Sequence, residues 1–357
     1  MRVTAWAVAG VLALTAGGAV AQEAQPRAPG GQRYLAQPLV TEMYFADPAA
    51  HVFDGRVYVY GSHDIDAPPA DDQPGKGYAM NDYVVLSMDR VGGPVTLHPT
   101  AFNLADVPWA SRQLWAPDVA RRDGRYFFYF PAKDRDGVFR IGVAVGDRPE
   151  GPFRPEPEPI PGSYSIDPSA FVDDDGEAYL IFGGIHGGQL QRWASGRYDA
   201  AAGDTDLGRP DAPALTPRMA RLNADMLSFA EPPREVAILD AAGQPLTGGD
   251  WDSRFFESPW IHKYNGLYYL SYSTGETHFV NYATSDSPYG PFTYRGKILL
   301  PVQGWTTHQS IVEVEGQWKL FYHDTQLTNR NNLRSAKVVD LIHNTDGTIR
   351  TVDPFVR

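Results

Sequence analysis

The chain contains no cysteine, so disulfides and thiol chemistry are excluded, although this alone leaves its compartment open. It is also short of positive charge. Lys and Arg number 31 against 43 Asp and Glu, a formal net charge of −12. That balance argues against nucleic acid and anionic membranes as partners. The apolar run from about Ala5 to Ala16 is too short for a bilayer span. It follows Arg2 and precedes Ala19-Val20-Ala21, a small-x-small cleavage pattern, so residues 1–21 read as a signal peptide. The protein is therefore expected to be secreted or periplasmic, with residues 22–37 as a flexible lead-in. A long helix is missing too. Residues 217–230 have some helical spacing, but Pro217 opens them and Pro232 follows.

What the chain has instead is aromatic strand. Phe, Trp and Tyr make up 12% of it, enough to build strands and to offer stacking surfaces for sugars. Five stretches share one pattern: a short polar or Pro-containing turn, an apolar strand, a Gly turn and an aromatic return strand. The returns include Arg56-Val57-Tyr58-Val59-Tyr60, Arg125-Tyr126-Phe127-Phe128-Tyr129 and Leu267-Tyr268-Tyr269-Leu270-Ser271. The turns close at Gly55, Gly124, Gly176, Gly266 and Gly316. Eight or nine residues before each of these stands Asp47, Ala116, Asp167, Glu257 or His308.

Many short strands with an internal repeat predict an all-β, five-bladed β-propeller over residues 38–357, each blade four-stranded with its first strand innermost. Further strands are expected at Asp82 to Met88, Phe139 to Val145 and Val280 to Ser285. The segment 185–250 reads as a loop insertion between blades three and four. A sandwich or jelly roll accounts for the strands but not for the fivefold recurrence.

Superposed repeats place equivalent positions on a ring, so Asp47, Asp167, Glu257 and His308 are expected to face one another at its centre. One buried acid alone reads best as a structural hydrogen-bonder, and Asp-Pro is a common turn opener. Three in register read as chemistry. Glycoside hydrolysis needs one carboxyl group to protonate the leaving oxygen and another to attack or to activate water. A third can keep the acid protonated by like-charge repulsion.

With these motifs the chain resembles glycoside hydrolase family 43, the five-bladed propeller glycosidases, over nearly all of residues 38–353. The resemblance implies that Asp47 of the first Asp-Pro is the general base. It implies that Asp167 of Ile166-Asp167-Pro168 tunes and orients the acid, and that Glu257 of Glu257-Ser258-Pro259 is that acid. It implies inversion at the anomeric carbon. It also implies that His308 lies near a bound calcium or water cluster; read from the residues alone, His308 is equally a hydrogen-bonded core histidine. Met80-Asn81-Asp82-Tyr83 and the stretch from Gly183 to Trp193 look most like the β-xylosidase branch, which acts on xylo-oligosaccharides from the non-reducing end. An α-L-arabinofuranosidase acting on arabinoxylan is the close alternative. An endo-arabinanase and a non-catalytic carbohydrate-binding propeller are further ones.

Three residues are candidates for substrate binding: Phe45 as a wall beside Asp47, and, as the resemblance implies, Trp115 of the Trp115-Ala116-Pro117-Asp118 motif beside the pocket and Arg334 as a late arginine that binds sugar hydroxyls and pairs with a carboxylate. Trp115 reads equally as core packing, Phe45 more readily so, and Asp118 as a sugar contact or a turn cap. His63 and Asp64 read as a rim loop. Asp173-Asp174-Asp175-Gly176 lacks the closing Glu of a calcium loop and reads as a hairpin turn.

Overall fold

The structure is a computed structural model that describes residues 28–67, 77–203 and 210–356. The expected signal peptide lies outside the described residues. Apart from four short 3-10 turns, the described chain is strand and loop.

The blades follow the repeats. The first is Tyr44–Phe53, Arg56–Asp64, Asp82–Met88 and Thr96–Asn103, each pairing antiparallel with the next. The second runs from Asp118–Arg122 through Arg125–Asp134 and Phe139–Gly146 to Arg154–Pro155. Glu257–Tyr264, Leu267–Ser273, Val280–Ser285 and Phe292–Leu299 form the fourth. The fifth has three strands, Gln309–Val314, Gln317–Asp324 and Ser335–Asp340, rather than the expected four. Its outer strand pairs in parallel with the inner strand of blade one at Phe45 and Ser335. Inner strands of successive blades touch in chain order, and the fifth touches the first.

The segment 185–250 is not merely an insertion. It supplies Arg218–Arg221 and Arg234–Glu235 as the outer strands of blade three, beside Ser169–Val172 and Ala178–Phe182. It also supplies Ile238–Leu239, a parallel edge strand on blade four. The lead-in, too, is part of the fold from Arg33 on. Arg33–Tyr34 pairs with Phe355–Val356, and Tyr34 is buried.

Alternation explains why the strands are apolar on both faces. Along Arg56–Asp64, Val57 and Val59 pack with Val314 and Phe321 of blade five. Tyr58 and Tyr60 point the other way, in the cluster with Phe128 and Phe130 of blade two. Tyr60 and Phe128 meet edge to face at 5.7 Å. A blade sandwiched between two others has no solvent face, so both sets of alternating residues are hydrophobic. Truncating a ring such as Phe128 to Ala is expected to cost ~3–5 kcal/mol.

Candidate active site

A backbone irregularity in blades one and four brings Asp47 and Glu257 to the centre. In blade one Ala46 pairs with Ser62 and Ala49 with Tyr60, so Asp47 and Pro48 oppose Gly61 alone. In blade four Glu257 pairs with Ser273 and Trp260 with Ser271, leaving Ser258 and Pro259 opposite Tyr272. These are bulges, which re-aim a side chain and accommodate a proline that cannot donate to the ladder. Asp47, Asp167 and Ser258 hold φ of 52°, 56° and 60°. That left-handed conformation is costly for residues other than glycine, and it turns the chain sharply at each site. Close packing fixes the turn in blade one. A Cβ on Gly61 would lie 2.4 Å from the Ala46 carbonyl oxygen and 2.5 Å from the Phe45 ring.

Asp47 is buried and gripped by Arg334, with Nη1 donating to Oδ1 at 2.7 Å and Nη2 to Oδ2 at 3.1 Å. The other edge of the guanidinium is taken by Asp64. Nε donates to Oδ2 at 2.9 Å, Nη2 to Oδ1 at 2.8 Å, and the Arg334 backbone N–H to Oδ2 at 2.8 Å. Burial opposes ionisation of Asp47, but Arg334 outweighs it and brings the carboxyl down to about 2. The Asp47 backbone N–H donates to His323 Nδ1 at 3.0 Å, so that nitrogen is unprotonated. Nε2 then carries the proton and donates it to the Thr306 carbonyl at 3.0 Å. Burial and the neighbouring Arg334 pull His323 down to about 3. Its approach to Asp47 Oδ1, at 3.3 Å, is therefore a contact with a neutral ring rather than an ion pair.

Asp167 and Glu257 behave oppositely to Asp47. Burial raises both, Glu257 to about 8, and each is pushed further by neighbouring carboxylates. The two groups share one proton near neutrality. The Ser258 backbone N–H donates to Asp167 Oδ2 at 2.9 Å and favours charge there. No described group donates to the Glu257 carboxyl, so hydrogen bonding favours charge on Asp167 and the proton on Glu257.

His308 is half-buried and neutral, drawn down to about 4 by desolvation, with Nδ1 2.8 Å from Ser258 Oγ. No group of three or more His, Asp or Glu suited to a metal stands together among the described residues. His308 can offer a single imidazole nitrogen, so an ion there would take the rest of its shell from water. Calcium, which prefers six to eight oxygens, fits only on that condition.

Asp47, Asp167, Glu257, His308, Arg334 and Trp115 all line one cavity of about 240 Å³. Phe45 does not. It is fully buried in the core between blades one and five, against Gly61, so it contacts no substrate. Trp115 is half-buried, its Nε1 donating to the Tyr78 carbonyl at 3.0 Å. Asp118 is neither a sugar contact nor a simple turn cap. It accepts from Val119 N–H and from Ala170 N–H of blade three, both at 2.7 Å, and lies 2.6 Å from His51 Nε2 of blade one. Asp64, expected at the rim, is buried.

The remaining lining was not anticipated. Phe256 and Thr306 stand beside marked positions and could have been suspected. Tyr78, His186, Trp305 and Asn331 come from loops outside the repeat. Trp305 packs on Phe256 at 5.6 Å, and Phe256 on His186 at 5.1 Å. Apolar rings thus form one wall and the carboxylates with Arg334 another.

Comparison with known proteins gives one family. The model for glycosyl hydrolases family 43 matches residues 93–349. The xylosidase/arabinosidase 43A of Humicola insolens is 54% identical over 324 residues, 89% of this chain and 99% of that protein. The beta-xylosidase of Xylanibacter ruminicola is 51% identical over 314 residues, 87% of this chain and 97% of that one. A solved GH43 beta-xylosidase/alpha-arabinofuranosidase from a compost microbial metagenome, in complex with xylotriose and calcium-free, is 59% identical. Its TM-score is 0.89, covering 93% of this chain and 100% of that one. The GH43_1 enzyme of Xanthomonas citri complexed with xylotriose has TM-score 0.85 and 55% identity, covering 90% and 94%.

Proposed function

The chain belongs to glycosyl hydrolase family 43, and on that premise we propose that it is an inverting exo-β-xylosidase that releases xylose from the non-reducing end of xylo-oligosaccharides. One observation carries the reading: Asp47, forked by Arg334, and Glu257, with no described donor on its carboxyl, line one small cavity, and these surroundings push Asp47 towards its ionised form and Glu257 towards its protonated form. Asp47 takes a proton from a water, which attacks the anomeric carbon from the face opposite the leaving group. Glu257 gives its proton to the glycosidic oxygen, and the C–O bond breaks. Asp167 keeps Glu257 protonated until that moment. Arg334 orients Asp47, and Thr306, whose Oγ1 accepts from Arg334 Nη1, lines the cavity where its hydroxyl can donate to the sugar.

α-L-Arabinofuranosidase activity in the same pocket is the second reading, favoured by relatives named for both activities. A calcium ion on His308 and water belongs to the proposal, supplying positive charge beside the carboxylates when bound. A calcium-free form of a similar enzyme is consistent with that. Export by the N-terminal signal peptide is proposed as well.

The test is hydrolysis of nitrophenyl β-D-xylopyranoside and α-L-arabinofuranoside side by side, with Asp47→Ala as control and calcium supplied or chelated. Xyloside turnover abolished in Asp47→Ala supports the reading. No turnover of either sugar with calcium present contradicts it.

A further inference from the structure

Trp251 is 44% exposed, and it is the one aromatic among the large hydrophobic side chains left exposed in the described residues. Its ring is not loose. The Arg254 guanidinium carbon sits 4.0 Å from the ring centroid, and Arg254 itself is buried. One face of the indole is thus covered by a fixed cation.

The backbone beneath is pinned throughout. Thr277 Oγ1 donates to the Trp251 carbonyl at 3.0 Å, Asn281 Nδ2 to that of Asp252 at 2.8 Å, and the Tyr272 hydroxyl to that of Ser253 at 2.6 Å. The Arg254 N–H donates to the Asp250 carbonyl at 2.8 Å. A flat apolar surface held open on a rigid loop is an arrangement suited to stacking against a sugar ring.

Strand register sets its place. Glu257 pairs with Ser273, Ser273 with Val280, and Val280 with Leu299. The turn carrying Thr277 therefore lies at the same end of blade four as Glu257, on the face where the cavity opens. The contacts also run on towards the cavity. His278, next to Thr277, has Nδ1 2.7 Å from the carbonyl oxygen of Trp305, a lining residue, and Trp305 packs on Phe256. Trp251 also lies six residues before Glu257 in the chain.

Direction comes from the chemistry. Glu257 protonates the leaving oxygen, so the leaving part of the substrate departs on the Glu257 side, over blade four. We propose that Trp251 is a stacking platform for a xylose ring of the leaving chain, beyond the first leaving unit. This deepens the proposed function and rests on it. The ligand class is a linear β-1,4-xylo-oligosaccharide, and the platform makes long chains better substrates than short ones without touching the reacting bond.

The test compares wild type, Trp251→Ala and Trp251→Phe on nitrophenyl β-D-xylopyranoside, xylobiose and xylohexaose. Trp251→Ala is expected to stay within about twofold of wild type on the nitrophenyl sugar and to lose about three- to tenfold in kcat/KM on xylohexaose, through KM. Trp251→Phe should keep most of the long-chain preference. An equal effect at every chain length, or no long-chain preference in an active wild type, overturns the platform. A readout without turnover is the indole N–H cross-peak that is absent from Trp251→Phe. It should shift when xylohexaose is added, and a peak that stays in place also overturns the proposal. A wild type inactive on every xyloside overturns the underlying reading instead.

Discussion

Arg334 forks onto Asp47 with one edge of its guanidinium, at 2.7 and 3.1 Å, while Asp64 holds the other edge. One buried cation thus lies between two buried anions. The carboxylate assigned as base is held in orientation by a group that the substrate pocket reaches, and that group is held by one the pocket does not reach.

Removing Asp64 should therefore damage both fold and activity. Asp64→Asn leaves a buried guanidinium half-compensated, and breaking such a pair typically costs ~3–5 kcal/mol. Urea unfolding should detect a loss of that order, with kcat/KM falling at least about tenfold as Asp47 loses its fixed orientation. Stability and kcat/KM both unchanged would mean that Arg334 does not depend on Asp64.

The pH dependence follows from Glu257. It acts only while protonated, so activity should fall as pH rises through about 8. Asp47, at about 2, sets no limb in mild acid. The same proton affects stability. Glu257 titrates at about 8 in the folded protein against its ordinary 4.5. The folded state therefore binds the proton more tightly than the unfolded chain. That contribution is complete below 4.5 and is lost as pH rises through about 8. Glu257→Gln has no proton to lose. The Tm of wild type should fall relative to Glu257→Gln between mild acid and pH about 8. A gap independent of pH would mean that Glu257 is not the protonated group.

Gly61 tests the bulge that aims the base. Gly61→Ala drives a Cβ into the Ala46 carbonyl and the Phe45 ring, an overpacking that typically costs ~1–3 kcal/mol. Thermal unfolding should register the loss, and kcat should drop with it because Asp47 sits in the bulge opposite. Unchanged stability and kcat would show that the turn at Asp47 tolerates relaxation.

The repeat was legible because every copy obeys the same constraints. A strand buried on both faces must be apolar, its hairpin needs Gly, and a Pro follows the marked position by one or two residues in four of the five copies. Asp47, Asp167, Glu257 and His308 were found by counting back from those Gly turns, and Arg334 by resemblance. Phe45 was misassigned because nearness in sequence to Asp47 does not give direction. Strand alternation sends its ring into the core while the bulge turns Asp47 out. Asp64 was missed because its partner is 270 residues away and nothing local marks it. Tyr78, Trp305 and Asn331 come from loops that the repeat does not govern. The outer strands of blade three were hidden because the excursion between residues 182 and 218 interrupts the spacing.

The central claim is that Glu257 delivers the proton and Asp47 activates the water. Its most direct test is the leaving-group dependence of Glu257→Gln, using aryl β-D-xylosides that range from dinitrophenyl to unsubstituted phenyl. A good leaving group needs no proton, so Glu257→Gln should approach wild-type kcat on the dinitrophenyl sugar and fail progressively as the leaving group becomes more basic. Asp47→Ala should fail equally on all of them. A Glu257→Gln variant that loses the same factor on every aryl xyloside would contradict the assignment.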